Sequence, residues 1–507
     1  MKNSKAIELR SLSRVLEVYR DSGKVIGLCH GVFDLVHPGH LKHFIAAKKN
    51  VDILVVSITA DKFVNKGPGR PIFTDFQRAE FLSSLEIIDF VTVSNSLSAL
   101  EVIEIVKPKI YFKGSDYEDL SKDATGNIIE EKKAVEGNGG YIHFTHEFTS
   151  SSSLLINKFF SSFNSKTKEW IDIFKNQNGL EESLYWIDKI SDLKVLILGE
   201  IIVDKYTYVS PLSKSSKDPI LAFQSLNSKI FPGGTLAIAN NCAAWVNEVR
   251  LISFANLNDS YLTDASEMIS KNIILDTLDT QDRPSILKHR YVDTLSQTRI
   301  FECYEFDMNP LNSSDYDVLR FKIENNIDSY DVVIVADYGH GFFDKVIVNS
   351  LNACNVFLAI NAQSNAGNRG FNSILKYNNA NLLSFNSQEL QIEFKNKNLD
   401  YYEIVPDLMN QKNAEYAILT LGADGLVVFG KNSKLEHVPA LATKVVDKVG
   451  AGDSVLSISA MLASIGAPLK IIGFIASVIA AAEVSRIGHE SPLSVVELKK
   501  HIKSILS

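Results

Sequence analysis

Lys24-Val25-Ile26-Gly27-Leu28-Cys29-His30-Gly31-Val32-Phe33-Asp34-Leu35-Val36-His37-Pro38-Gly39-His40 runs directly into Leu41-Lys42-His43-Phe44-Ile45-Ala46-Ala47-Lys48-Lys49, and this stretch decides the fold. Residues 24–28 read as a buried strand and residues 41–49 as the helix that follows it. A strand that turns into a helix leaves the first helical N–H groups unpaired and facing the turn, where an anion is welcome. His37 and His40, on either side of Pro38-Gly39, project from that turn toward the same anion. Imidazoles so placed donate hydrogen bonds to charge that builds up on a phosphate during transfer. The sequence has no Walker-type loop, so a nucleotide would be held here in a different way.

Working outward, residues 52–58 form a second continuous apolar run, the kind found in parallel sheets covered on both faces. Strand, helix and strand make a right-handed crossover unit, and such folds bind ligands at the carboxyl edge of the sheet, here near Thr59-Ala60-Asp61. A helix is expected over residues 7–20. Asn65-Lys66-Gly67-Pro68-Gly69-Arg70-Pro71 is a rigid basic loop that, taken alone, is a turn. A helix over 76–85 carrying Arg78, a strand over 87–93 and a strand over 107–117 holding Lys113 follow. Ser150-Ser151-Ser152-Ser153, ahead of Leu154-Leu155-Ile156, reads as a helix cap or a flexible tract.

Residues 161–190 look like a connection built from short helices, because Trp170 and Trp186 argue for packing on a neighbour. A second α/β domain opens with the buried strand Leu193–Leu198, a turn at Gly199 and an acid at Asp204. Short polar strands over 205–231 and 284–306 are placed to form a small sheet, a lid over a site. Pro232-Gly233-Gly234 leads into a helix through Ala237 to Trp245. Buried strands return near 331–335, 356–360 and 381–385, and residues 418–429 read as a hairpin turned at Asp424-Gly425. In Val446-Asp447-Lys448-Val449-Gly450-Ala451-Gly452-Asp453-Ser454, small residues at a helix start let backbone N–H groups approach a phosphate beside the Asp453 carboxylate. An acid there takes the proton of an attacking hydroxyl while the N–H groups stabilise the transferring phosphoryl group. Alone, the same string is a helix cap.

A chain of 507 residues calls for two or three domains. Its hydrophobic fraction of 45% and charged fraction of 22% are those of a soluble globular protein. A net charge of -8 argues against a nucleic-acid partner. Cys29, Cys242, Cys303 and Cys354 show no paired spacing, which points to reduced thiols in the cytoplasm rather than a disulfide or zinc framework. No signal-peptide core follows Met1, and the most apolar region, 471–482, is too short to span a bilayer, so no membrane partner is expected.

The pattern Gly31-x-Phe33-Asp34-x-x-His37-x-Gly39-His40 resembles the signature of the nucleotidyltransferase superfamily that includes the cytidylyltransferases and the sugar-phosphate adenylyltransferases. The resemblance implies nucleotidyl transfer at His37 and His40, with Gly31, Phe33 and Asp34 in the nucleotide site. It also implies that Arg70 and Arg78, with Lys66, lie near the triphosphate, that Lys113 stands at the lip, and that Ser151, Ser152 and Ser153 cap a helix facing the phosphates. From Leu193 onward, Gly233-Gly234, Asn386-x-x-Glu389, Gly422-x-x-Gly425 and Gly450-Ala451-Gly452-Asp453 stand in the order typical of the ribokinase-like (PfkB) carbohydrate kinases. That resemblance implies that Asp453 is the kinase base and that Gly450, Ala451 and Gly452 form its anion hole. Gly422 and Gly425 would lie on the nucleotide side, Asp204, Gly233 and Gly234 at the acceptor, and Asn386 with Glu389 would organise magnesium indirectly.

Together the halves resemble the bifunctional heptose-phosphate kinase/heptose-1-phosphate adenylyltransferases of bacterial surface-polysaccharide synthesis, with the domain order swapped. The expected fold class is α/β: a Rossmann-like nucleotidyltransferase domain over 1–160, a helical linker over 161–190, and a ribokinase-like domain with a small β lid over 191–507. The resemblance implies ATP as nucleotide, with CTP possible in the first domain, sugar or polyol phosphates as co-substrates, Mg2+ as cofactor, and a homodimer. Departures concentrate in the second half. Thr235-Leu236-Ala237 stands where the kinases have a sugar-contacting asparagine, Asn361-Ala362-Gln363 where an acid-Pro-Lys sequence is common, and Lys448 where threonine is frequent. In the first half, His30 stands where the heptose enzymes tend to have asparagine. A second reading follows, in which only the first domain is an enzyme and the second is a sugar-binding or dimerising module.

Overall fold

β1 (Ile26–Gly31) is the middle strand of a five-stranded parallel sheet ordered β3-β2-β1-β4-β5, with β2 at Ile53–Thr59, β3 at Phe90–Ser94, β4 at Ile110–Gly114 and β5 at Tyr141–Thr145. The computed structural model describes residues 5–64, 70–96, 98–114, 127–145, 163–215, 217–296, 298–307, 309–431, 434–486 and 492–506. They fall into two units, Met1–Asn164 with Lys499–Ser507, and Ser165–Leu498.

In the first unit the chain winds from β1 outward to β3 and returns to β1's other side for β4. The strand order therefore reverses between β1 and β4, which opens a crevice at their carboxyl ends. Alternation along each strand feeds two cores. Leu28, Val55 and Tyr111 pack with Leu12 and Leu16 of α1 (Leu9–Asp21) on one face. Cys29, Val56 and Phe112 pack on the other with Phe44 of α2 (Pro38–Lys48) and Leu82 of α3 (Asp75–Ser83). Helices α4 (Leu100–Val106) and α5 (Asn127–Gly137) complete the first face through Val102 and Val135. The opening stretch behaves as its residues dictate: continuous burial makes a central strand, and Pro38 at the first helical position starts α2 without losing a needed donor.

The second unit begins with α6 (Ser165–Asn176) and α7 (Gly179–Lys189). Trp170 stacks on Phe174 and Phe474 at 5.1 and 6.1 Å between ring centres, so the stretch expected to link the domains packs within this unit. Its main sheet has the order β10-β9-β6-β13-β14-β15-β16-β17-β18. The strands are β6 Lys194–Gly199, β9 Glu248–Ala255, β10 Ile273–Asp279, β13 Val332–Asp337, β14 Phe357–Ala362, β15 Leu382–Asn386, β16 Tyr416–Thr420, β17 Leu426–Gly430 and β18 Lys434–Val438. All pairs are parallel except those at the β17–β18 edge. A separate sheet ordered β12-β11-β7-β8 uses β7 Ile201–Lys214, β8 Leu221–Gly234, β11 Ile286–Asp293 and β12 Arg299–Glu305, the two polar regions expected to form a lid.

Helices of this unit include α8 (Thr235–Ala243), α9 (Ser260–Ser266), α10 (Ser313–Asn326), α11 (Lys345–Asn352), α12 (Ser387–Glu393), α13 (Tyr401–Gln411), α14 (Ala451–Ser464) and α15 (Leu469–Glu483). The apolar run at 471–482 lies inside α15 and is buried. Among the described residues no helix is long and apolar enough to cross a membrane.

Candidate functional site

At the mouth of the first unit's crevice His37 caps α2 from an extended backbone, and its Nδ1 accepts the Gly39 N–H at 3.1 Å. That bond leaves the proton of the neutral ring on Nε2. The His37 and His40 rings lie 4.0 Å apart between centres and 31° from parallel, so the two imidazoles share one small volume. Burial lowers the His37 pKa, favouring the neutral ring. Phe33, in the left-handed region at φ 48°, turns its ring against His40 at 5.3 Å and Phe44 at 5.1 Å. A bulky residue in that conformation is a strained position of the kind found at sites. Gly31 ends β1 beneath that ring.

Asp34 organises the segment from Arg70 to Phe73. It is buried and accepts the N–H groups of Ile72 at 2.7 Å and Phe73 at 3.1 Å, and Arg70 Nε at 2.7 Å. The remaining nitrogens of Arg70, Nη1 and Nη2, are buried and have no hydrogen-bond partner among the described residues. A guanidinium held by one nitrogen with two idle is set to receive an oxyanion.

Arg78 has a structural role as well. Its nitrogens bond the carbonyls of Phe73 (3.0 Å), Val32 (2.5 Å) and Thr59 (2.8 Å) and the Asp61 carboxylate (2.6 Å), and the side chain is buried. It ties three segments around the crevice together.

Lys113, on β4, ion-pairs with Glu131 at 2.9 Å. Glu131 also accepts the Tyr111 hydroxyl at 3.1 Å and the Ala99 N–H at 3.2 Å. His30 meets Ser57 Oγ at 3.2 Å, and burial brings its pKa down to about 3. His43 meets Thr145 Oγ1 at 2.6 Å with its pKa lowered to about 4, again chiefly by burial. Both rings are neutral at pH 7. Lys66, Ser115–Tyr117 and Ser151, Ser152 and Ser153 lie outside the described residues.

In the second unit Asp204 sits on the inner side of β7 and pairs with Arg290 of β11, which also meets Glu302 at 3.2 Å. A Cβ on Gly233 would fall 2.5 Å from Asp204 Oδ2, so only glycine leaves that carboxylate its place. Gly234, at φ 54°, caps α8, and Ala237 is buried on that helix. Gly450 takes the left-handed cap position (φ 82°) that starts α14, with Ala451, Gly452 and Asp453 forming the first turn. Among the described residues a Cβ at Gly452 would meet nothing within 4 Å, so toward them this turn is open on one side. Tyr338 donates its hydroxyl to Asp453 Oδ1 at 3.0 Å.

Asn386 and Glu389 form a reciprocal capping box at the start of α12, at 2.8 and 2.9 Å, and burial pushes the Glu389 pKa up to about 7. Gly422 and Gly425, at φ 61° and 91°, make the turn between β16 and β17. Asn361 bonds the Ser384 carbonyl at 2.9 Å, a link between adjacent strands. No group of three or more potential metal ligands occurs among the described residues.

Lys288, Arg290 and His340, like Tyr338, were not legible as site residues in the sequence. Lys288 and Arg290 alternate along β11, which puts both on the face toward Asp204. Lys288 is buried, with its ammonium 5.7 Å over the Tyr338 ring and 5.8 Å over the Tyr304 ring. His340 is buried too, its pKa lowered to about 4 by burial first and by Lys288 second, and its Nε2 has no partner among the described residues.

Comparison with known proteins gives two classes. Residues 28–158 match the family model described as cytidylyltransferase-like, and residues 280–495 match that of the pfkB family carbohydrate kinases. The fold is therefore α/β in both units: a Rossmann-like N-terminal unit, and a C-terminal unit of ribokinase-like design with a β lid. Among individual proteins, the chain is 38% identical over 139 residues to the "Bifunctional protein HldE" of Syntrophotalea carbinolica, covering 27% of each chain. It is 37% identical over 114 residues to the HldE of Campylobacter jejuni subsp. jejuni, covering 22% of this chain and 25% of that one. The chain thus spans about a quarter of the length of these curated relatives. A point mutant of phosphofructokinase-2 from Escherichia coli superposes with a TM-score of 0.50 at 14% identity, over 62% of this chain and 99% of that one, a likeness of fold.

Proposed function

We propose that the chain is a bifunctional sugar-activating enzyme. Its first domain transfers a nucleotidyl group from ATP or CTP to a sugar or polyol phosphate and releases pyrophosphate. Its second phosphorylates a sugar or sugar phosphate with ATP, for surface-polysaccharide precursors. The observation that carries the reading is the facing pair His37 and His40 at the β1–β4 crevice, together with the idle nitrogens of Arg70, whose Nε is held by Asp34 three residues before His37. These groups supply hydrogen-bond donors where a triphosphate places its charge. For the second domain, support comes from Asp453 at an open glycine-rich helix start and from the buried cations Lys288 and Arg290 facing Asp204. Buried cations beside the acceptor carboxylate favour the sugar-phosphate arm of that activity.

Magnesium fits as a metal brought in on the nucleotide, because the described residues offer no cage and Mg2+ is held largely by phosphate oxygens and water. Asn386 and Glu389 would act on it from a distance. A homodimer joined through the lid sheet, where Phe301 is half exposed and stacks on Tyr291 at 4.3 Å, and a cytoplasmic location, which four free thiols suit, belong to the same proposal.

The test is to incubate the protein with ATP or CTP and a panel of sugar 1-phosphates while following pyrophosphate, and with ATP and sugars or sugar phosphates while following ADP. Turnover in both assays is expected. The second reading, a catalytically weak kinase-like module, draws on the apolar Ala237 and on the internal pairing of Asp204. It prevails if no acceptor gives turnover that Asp453→Asn abolishes.

A further inference from the structure

The turn Tyr338-Gly339-His340-Gly341-Phe342 follows β13, and Glu200 grips it from behind. The Glu200 carboxylate accepts the N–H groups of Tyr338 (3.0 Å), His340 (2.9 Å) and Phe342 (3.2 Å). Gly339 and Gly341, at φ 72° and 101°, allow these alternate N–H groups to converge on one carboxylate. From the other side, Asn365 and Asn368 donate to the Tyr338 carbonyl at 2.7 and 2.6 Å. Both ends of this residue are thus fixed, its ring is fully buried under the Lys288 ammonium, and its hydroxyl reaches Asp453. A tether of this kind is more than a lone tyrosine needs for packing, and it ends on the carboxylate read above as the kinase base.

We propose that Tyr338 is a positioning residue for phosphoryl transfer: by donating to Asp453 Oδ1 it aims Oδ2 at the acceptor hydroxyl, and Glu200 holds it there. The inference rests on the reading of Asp453 as base. In the step, the acceptor O–H proton passes to Oδ2 as the acceptor oxygen bonds to the γ-phosphorus. The bond from that phosphorus to the bridging oxygen breaks, and ADP leaves. Tyr338 keeps its proton throughout, since burial and the adjacent Asp453 hold its phenol well above the ordinary range. Among the described residues, the charged groups in the field of Tyr338 and Asp453 include Lys288 from β11, Asp204 from β7, Glu389 from α12 and Glu200.

The experiment compares wild type, Tyr338→Phe, Tyr316→Phe and Asp453→Asn. Tyr316 donates to the Gly341 carbonyl of the same turn at 2.8 Å and serves as the structural control. ADP release is followed against pH with the acceptor panel, and the Asp453 carboxyl is titrated by carbon-13 NMR. Tyr338→Phe is expected to lower kcat roughly 10–100-fold with the KM for ATP unchanged. It should also raise the acid limb and the carboxyl midpoint by about one pH unit, because a donor to the charged form is lost. Replacing Tyr338 with 3-fluorotyrosine, a stronger donor of nearly the same shape, moves both downward, and Tyr316→Phe moves neither. An unshifted limb and midpoint in Tyr338→Phe overturn the role, and a wild type that turns over no acceptor overturns the base reading on which it rests. If Asp453→Asn retains turnover, the base reading itself fails. If Asp453→Asn is inactive while Tyr338→Phe is not, only the role of Tyr338 fails.

Discussion

The two candidate sites occupy the same place in their sheets, the carboxyl ends of parallel strands beside a helix start, yet they treat charge in opposite ways. In the N-terminal unit donors are presented: His37 and His40 face each other across 4.0 Å, and Arg70 is anchored by one nitrogen with two unused. In the C-terminal unit carboxylates are restrained: Asp204 by Arg290, Asp453 by Tyr338, and Glu389 by its own helix start. A site that receives a polyanion profits from converging donors. A site that takes a proton from a neutral hydroxyl needs a carboxylate kept ionised and held still. The difference teaches that similar sheet edges are specialised by what pairs with their charged groups.

The largest effect that would break this contrast is at the histidine pair. His37→Ala and His40→Ala should each lower pyrophosphate release about 10²–10⁴-fold while far-UV circular dichroism stays unchanged. Variants that retain full nucleotidyl transfer would remove the donor half of the comparison.

Next in size is Arg290→Met, which removes the ion-pair partner of the buried Asp204 and should destabilise the C-terminal unit by roughly 3–5 kcal/mol. Trp170, Trp186 and Trp245 all lie in that unit, so denaturant melts followed by tryptophan fluorescence report on it selectively.

A pH series sharpens the contrast further. His30 and His43 have native pKa values near 3 and 4, below the ordinary 6.5, so the unfolded chain binds more protons than the native N-terminal unit in that window. Stability of that unit should rise as pH increases from about 4 to 6.5 and fall on acidification. In the C-terminal unit His340, lowered to about 4, acts the same way, but Glu200 and Glu389, raised to about 7 from 4.5, act oppositely, their contribution declining as pH rises toward 7. The fluorescence-detected transition should therefore vary less with pH than the remaining calorimetric transition, and an equal dependence would count against these environments. The smallest expected change is Asn386→Ala, which removes one cap and should cost about 1 kcal/mol by the same melts.

Much of the scaffold was legible because continuous apolar runs such as Ile53–Thr59 admit few readings other than a covered parallel strand. The histidine turn was legible for the same reason: a strand, a helix and their junction are local. Arg78 shows where local reading stops. Its partners Val32, Thr59 and Phe73 come from different segments, and only the fold shows that an arginine near a basic loop is an internal brace. Asn386-x-x-Glu389 has the spacing of a capping box and forms one, a local role that the sequence reading did not assign to it. Lys288, Arg290 and Tyr338 escaped notice because their importance lies in partners far along the chain, such as Asp204, 86 residues before Arg290. Strand alternation was the one available signal, since Lys288-x-Arg290 marks a common face without saying what that face meets.

One crossed assay tests the central claim most directly: wild type, His40→Ala and Asp453→Asn, each measured for pyrophosphate release with sugar 1-phosphates and for ADP release with sugar and sugar-phosphate acceptors. The account predicts that His40→Ala loses only the first activity and Asp453→Asn only the second. Loss of both activities in either variant, or of neither in His40→Ala, would contradict it.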